Sequence, residues 1–119
     1  MDLIFDFDGT ITVVDQWPEI GEIDQEMVDL LRRVQQCGHK IILSTSREGN
    51  FLRTALSILI QHGLIFDAVN ENLQSRIERF GGNPRKVTAD VIFDDRALGY
   101  TREAAIKFLE SLLENGSHR

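Results

Sequence analysis

The stretch Leu3-Ile4-Phe5-Asp6-Phe7-Asp8-Gly9-Thr10-Ile11 decides the fold. Leu3, Ile4 and Phe5 make a short apolar run without polar alternation, the pattern of a strand covered on both faces in a parallel sheet. Two carboxylates, Asp6 and Asp8, end the run. Gly9 lets the backbone turn away closely, and Thr10 can hydrogen-bond locally to hold that turn. The pattern recurs twice. Ile41-Ile42-Leu43 ends in Ser44-Thr45-Ser46, and Val91-Ile92-Phe93 ends in Asp94-Asp95. A fourth stretch, Leu64-Ile65-Phe66 with Ala68-Val69, reads as a strand interrupted by Asp67.

Helical patterns lie between these runs. From Asp24 to Cys37, the residues Met27, Leu30, Leu31, Val34 and Cys37 fall on one stripe, with Asp24 as N-cap and Gly38 after the end. This places Cys37 as a small buried hydrophobe. From Asn50 to His62, the stripe is Phe51, Leu52, Ala55, Leu56 and Leu59, closed by Gly63. The last helix runs from a Thr101 cap to about Asn115, with Ala104, Ala105, Phe108, Leu109, Leu112 and Leu113 on its apolar face. Two irregular stretches, 12–23 and 71–88, are too short for an inserted domain. The alternation of strand and helix predicts an α/β fold, a three-layer α/β/α Rossmann-like parallel sheet with no cap domain. Residues 1–116 are expected to form one domain, and 117–119 a frayed tail.

Composition narrows the function classes. The chain has 119 residues, with 42% hydrophobic and 27% charged, which is a globular balance. Its single cysteine allows neither an intramolecular disulfide nor a cysteine-based zinc cluster. No apolar run approaches the ~20 residues of a membrane span, and the N-terminus has no signal-peptide pattern, so no membrane partner and a cytoplasmic location are expected. The net charge of −6 disfavours gripping nucleic acid by bulk charge. It leaves room for a phosphorylated ligand in a local site.

The acids are the informative residues. In an open α/β sheet the carboxyl ends of the strands form the ligand crevice. Asp6, Asp8, Asp94, Asp95 and Thr45 would all stand at that edge. Carboxylates so grouped repel one another unless a cation joins them or some take up protons. Oxygen ligands at this density suit Mg2+. The three histidines, His39, His62 and His118, are scattered and support no softer metal. One carboxylate of the Asp6/Asp8 pair as nucleophile and the other as proton donor is a workable arrangement for phosphoryl transfer.

The segment from Leu3 to Ile11 resembles the first motif of the haloacid dehalogenase-like (HAD) hydrolases. Thr45-Ser46-Arg47 resembles the second motif, Lys86 the third-motif lysine, and Phe93-Asp94-Asp95 the fourth, acidic motif. Trp17-Pro18-Glu19-Ile20-Gly21, Arg47-Glu48-Gly49, Val69-Asn70-Glu71-Asn72 and Asp94-Asp95-Arg96 are similar to stretches of small capless members. The resemblance spans roughly Met1 to Gly99. Only four strands are visible where a fuller core of the family has five or more.

The resemblance implies a Mg2+-dependent phosphatase hydrolysing a phosphate monoester. Asp6 would carry the aspartyl-phosphate and Asp8 would act as general acid and base. Asp6, Asp94, Asp95 and the backbone carbonyl of Asp8 would hold Mg2+. Thr45, Ser46 and Lys86 would bind the phosphoryl oxygens. Trp17, in the segment where the family has a flap, is a candidate substrate contact, as are Arg47, Asn70, Asn72 and Arg96. A capless core implies an open site, which in the family goes with large phosphorylated substrates or with a homo-oligomer whose neighbour serves as cap. The alternatives are a receiver-like phospho-acceptor that holds its aspartyl-phosphate, and a low-activity phosphate-binding protein.

Overall fold

The first apolar run is one of the two inner strands of the sheet. β1 (Asp2–Phe5) is paired in parallel with β2 (Lys40–Leu43) on one side and with β4 (Val91–Phe93) on the other. β3 (Ala68–Val69) extends the sheet beyond β2, giving the order β3-β2-β1-β4. The register sets Phe5 beside both Leu43 and Phe93, so the segments leaving β1, β2 and β4 emerge at one edge. The computed structural model describes residues 1–116; the expected tail 117–119, with His118, lies outside them.

Side chains alternate across the sheet, and each face has its own core. Leu3, Phe5, Ile41, Leu43 and Phe93 pack with residues of three helices, α1 (Gln25–Gln36), α2 (Gly49–Gln61) and α4 (Arg102–Gly116). Ile4 and Ile42, on the other face, are covered by Leu73, Val87 and Ala89, around the short helix α3 (Gln74–Phe80). Helices therefore lie on both faces of a four-stranded parallel sheet, with no further domain among the described residues. No helix among the described residues is long and apolar enough to cross a membrane.

The predicted caps are present. The Asp24 carboxylate accepts from the Met27 N–H at 3.2 Å, and the Thr101 hydroxyl accepts from the Ala104 N–H at 3.1 Å. Three expectations need correction. Leu64-Ile65-Phe66 is not strand: only Ala68–Val69 pairs with β2, and Ile65 is exposed. Asp67 does the work of a strand residue there, since its N–H donates to the Ile41 carbonyl and its carboxylate accepts from the Ile41 N–H at 2.8 Å. The stretch 71–88 is not wholly irregular, because it contains α3. Seven residues are too few for a periodic stripe to be read. Cys37 is exposed as the C-cap of α1 rather than buried, and the buried stripe of the helix closes at Val34.

α3 brings Arg76 against the N-terminal ends of β1 and β4. Its guanidinium is buried and pairs with Asp2 at 2.7 Å and with Asp90 at 3.1 Å. Removing one member leaves unpaired charge near the sheet. Arg76→Ala is expected to lower the unfolding free energy by about 2 kcal/mol, less than a fully buried pair because Asp90 reaches solvent. Urea denaturation measures it, and a change below about 0.5 kcal/mol would remove the pair from the stabilising interactions.

Candidate active site

The backbone brings the acids together before any side chain acts. The Asp6 N–H donates to the carbonyl of Phe93, the last residue of β4, at 2.9 Å, which carries the β1–β4 ladder one step past the end of β1. The Asp95 N–H then donates to the Thr10 hydroxyl at 3.0 Å. Thr10 thus ties the two acidic segments to each other, beyond the local role expected of it. Thr12 holds the turn instead, accepting from the Gly9 N–H and donating to the Val14 carbonyl, both at 2.8 Å. Gly9 adopts φ +85°, and a Cβ there would lie 2.4 Å from Asp95 Oδ2. Only glycine combines that conformation with so close an approach.

Asp6, Asp94 and Asp95 each offer a carboxylate oxygen, and the three oxygens lie within 4.8 Å of one another. Asp6 Oδ2 and Asp95 Oδ1 are buried with no hydrogen-bond partner. Burial pushes the Asp6 carboxyl up to about 7, and Asp94 and Asp95 push it the same way, against the opposing charge of Arg96. Unpartnered buried oxygens in a like-charged group fit a hard divalent cation. The Asp8 carboxylate stands outside this group. Both its oxygens are held by Arg47, through Nε at 2.8 Å and Nη2 at 2.7 Å.

Beside the acids lies a cleft of about 160 Å³ lined by Asp6, Asp8, Asp15, Trp17, Ser46 and Arg96. A larger hollow of about 260 Å³ behind the turn is lined by Thr10, Thr12, Tyr100, Arg102 and Asp24. Asp24 is already spent there, capping α1 and pairing with Arg102 at 2.6 Å. The carboxylate cleft is therefore the candidate site.

Of the residues singled out in the sequence, Asp6, Asp8, Trp17, Ser46 and Arg96 meet in the cleft, and Asp94 and Asp95 join Asp6 in its acidic group. Thr45 is drawn into the loop after β2. Its hydroxyl accepts from the Arg47 N–H at 3.1 Å, and its own N–H donates to Asn70 Oδ1 at 2.8 Å.

Four candidate contacts are placed differently from expectation. Asn70, at φ 55°, uses its side chain to hold the Thr45 loop. Asn72 is buried and does not face a substrate. Its amide donates to Asn83, Pro84 and Lys86, and its carbonyl accepts from Thr88, so it fastens the 83–88 segment to the start of α3. Lys86 is exposed and does not line the cleft; its ammonium has no hydrogen bond or ion pair among the described residues. Arg47 is 1% exposed and engaged by Asp8, so it does not stand free as a substrate contact. The sequence signal for its true partner was slight: a cation two residues beyond Thr45, in the loop that follows the strand paired with β1.

No family model matches the chain, and no curated protein matches it. Among solved structures, a conserved protein from Bacteroides thetaiotaomicron matches with 34% sequence identity and a TM-score of 0.79, over 93% of this chain and 90% of that one. The chain belongs to the family of that protein. The two share a fold over nearly the full length of both.

The raised Asp6 group sets a pH dependence. Folding favours its protonated form, so that contribution is full below the ordinary carboxylate value of about 4 and is lost as pH rises through about 7. Metal-free protein should lose on the order of 1 kcal/mol across that window, after allowance for a half-exposed group, and Asp6→Asn should not. Thermal melts from pH 4 to 8 in chelator measure this; parallel curves for the two proteins would mean the acids do not repel as described.

Proposed function

We propose that the protein is a Mg2+-dependent phosphatase of the HAD type, hydrolysing a phosphate monoester through an aspartyl-phosphate on Asp6. The single observation that carries this reading is the group of three carboxylates around Asp6, with two buried oxygens that lack partners.

Asp6, Asp94 and Asp95 would hold the ion, joined by the backbone carbonyl of Asp8. When bound, Mg2+ supplies positive charge that offsets the repulsion among the acids and the charge on the transferring group. Asp6, deprotonated, attacks phosphorus in line with the leaving alcohol. Asp8 gives its proton to the departing oxygen, then takes one from the water that hydrolyses the aspartyl-phosphate. For this it must turn at least one oxygen away from Arg47. Ser46 and Arg96 line the cleft and would contact the phosphoryl oxygens, and the Thr45 hydroxyl keeps a proton to donate. Lys86 would join them only through movement of the 83–88 segment, so its role as phosphate ligand is the part least supported by position.

The cleft is small and the chain carries no cap, which suits recognition of the phosphoryl group itself more than of a large enclosed substrate. A cytoplasmic setting, expected from the sequence, and a homo-oligomer, implied by the resemblance, remain part of the proposal.

The test is phosphate release from p-nitrophenyl phosphate with and without Mg2+. Activity should require the metal. Asp6→Asn and Asp8→Asn should each lower kcat by at least about 100-fold, the size of a lost nucleophile or acid/base group. A fully active Asp6→Asn protein would remove the assigned nucleophile. Stoichiometric labelling of Asp6 without turnover would replace the enzyme by a phospho-acceptor.

A further inference from the structure

Arg47 is among the largest fully buried side chains of the protein, and it touches two places at once. On one side its Nε and Nη2 form a fork on Asp8. On the other, Nη2 donates to the Glu19 carbonyl at 2.9 Å and Nη1 reaches the Pro18 carbonyl at 3.4 Å. Its guanidinium carbon lies 4.9 Å from the centre of the Trp17 ring and 5.4 Å from that of Phe7. Pro18, Glu19 and Trp17 form the tip of the segment 12–23. The base of that segment is fixed by the Thr12–Ile23 bridge and by the Val13 N–H bond to the Glu22 carbonyl. Among the described residues, the hydrogen bonds from residues 15–19 to the body of the molecule run through Arg47, and Trp17 also leans on Phe51 at 4.9 Å.

We propose that Arg47 is a positioning residue that couples this flap to Asp8, so that the cover of the cleft and the acid/base carboxylate change position together. The role given to Asp8 rests on the phosphatase reading. The coupling itself follows from the shape of the guanidinium. It is planar and rigid, so a two-point contact with Asp8 fixes the directions of the remaining N–H groups. Those groups point at the Pro18 and Glu19 carbonyls. Turning the Asp8 carboxylate toward the cleft breaks the fork and rotates the plane, and the flap carbonyls lose their donors. Lifting the flap has the converse effect, since it opens a buried cation to water and weakens its hold on Asp8. Trp17 lines the cleft as well as covering Arg47, so an occupant of the cleft meets both partners.

Trp17 is the only tryptophan, so its emission reports on the flap alone. The experiment measures acrylamide quenching of Trp17 in the metal-free wild type, Asp8→Asn, Asp8→Glu and Asp94→Asn, with circular dichroism to check the fold. Asp8 and the indole both line the cleft and are linked through Arg47, and Asp8→Asn should raise the quenching constant about twofold, as expected when a local segment loses its tie. Asp94→Asn, which leaves the Arg47 contacts intact, should keep the wild-type value. Asp8→Glu retains the buried charge pair but displaces the fork; it should also raise quenching, and it decides the matter if Asp8→Asn fails to fold. Wild-type quenching in a folded Asp8 variant would overturn the coupling, as would an equal rise in Asp94→Asn.

A second readout separates this proposal from the phosphatase reading. With p-nitrophenyl phosphate, Arg47→Lys should lower kcat about tenfold with KM changed less than about twofold, as for a residue that aims the acid/base group without binding substrate. If wild-type protein releases no phosphate, the phosphatase reading falls and the quenching result still judges the coupling. If phosphate is released and Asp8 variants leave Trp17 unmoved, the coupling falls and the phosphatase stands.

Discussion

One extra rung of backbone hydrogen bonding, from the Asp6 N–H to the Phe93 carbonyl, holds the candidate site together. It keeps the chain in register with β4 one residue after β1 has ended, so the acids that follow the two strands have no room to diverge. Thr10 adds a second tie by accepting from the Asp95 N–H, and Gly9 removes the one side-chain atom that would push Asp95 away. Directly beneath, Phe5 and Phe93 stack with ring centroids 4.6 Å apart. Apolar packing there opposes the tendency of the acids above to spread, since separating the strands would expose both rings. The junction also lies where the strand order reverses, between β1 and β4, which is where open α/β sheets form their crevices.

The four carboxylates at this edge are treated unequally. Three are left facing one another with two of their oxygens unpartnered, while Asp8 is fully engaged by Arg47. Two residues of separation on the chain thus lead to opposite electrostatic surroundings. Asp6 is pushed toward protonation by burial and by its neighbours, whereas a buried cation faces Asp8. A cation bound among the three acids would favour the ionised form of Asp6 that attack on phosphorus requires.

The sheet and most of its helices were legible because each depends on local pattern. Short apolar runs marked β1, β2 and β4, and Asp24, Thr101 and Gly38 marked helix ends through chemistry that acts over three or four residues. β3 is shorter than its apolar run suggests because such a run is ambiguous on its own: Leu64 and Phe66 turn into the core while Ile65 faces solvent, and backbone bonding to β2 begins only at Asp67. Asp6, Asp94 and Asp95 could be grouped in advance because parallel topology sends their strand ends to one edge. The places of Arg47, Asn70 and Asn72 could not. Each is a polar side chain next to the site whose partner, Asp8, the Thr45 loop or the 83–88 segment, is chosen by tertiary geometry. Sequence shows that such a group is present, and says nothing of which way it turns.

The outermost strands, β3 with two residues and β4 with three, are the shortest in the sheet. An incoming chain seeking to continue the sheet would find only a few free amides and carbonyls on either flank. Template-driven aggregation depends on long, flat, unpaired borders. By curtailing both borders, the fold can leave Ile65 and Ile92 open to water without offering the backbone scaffold on which a fibril would grow.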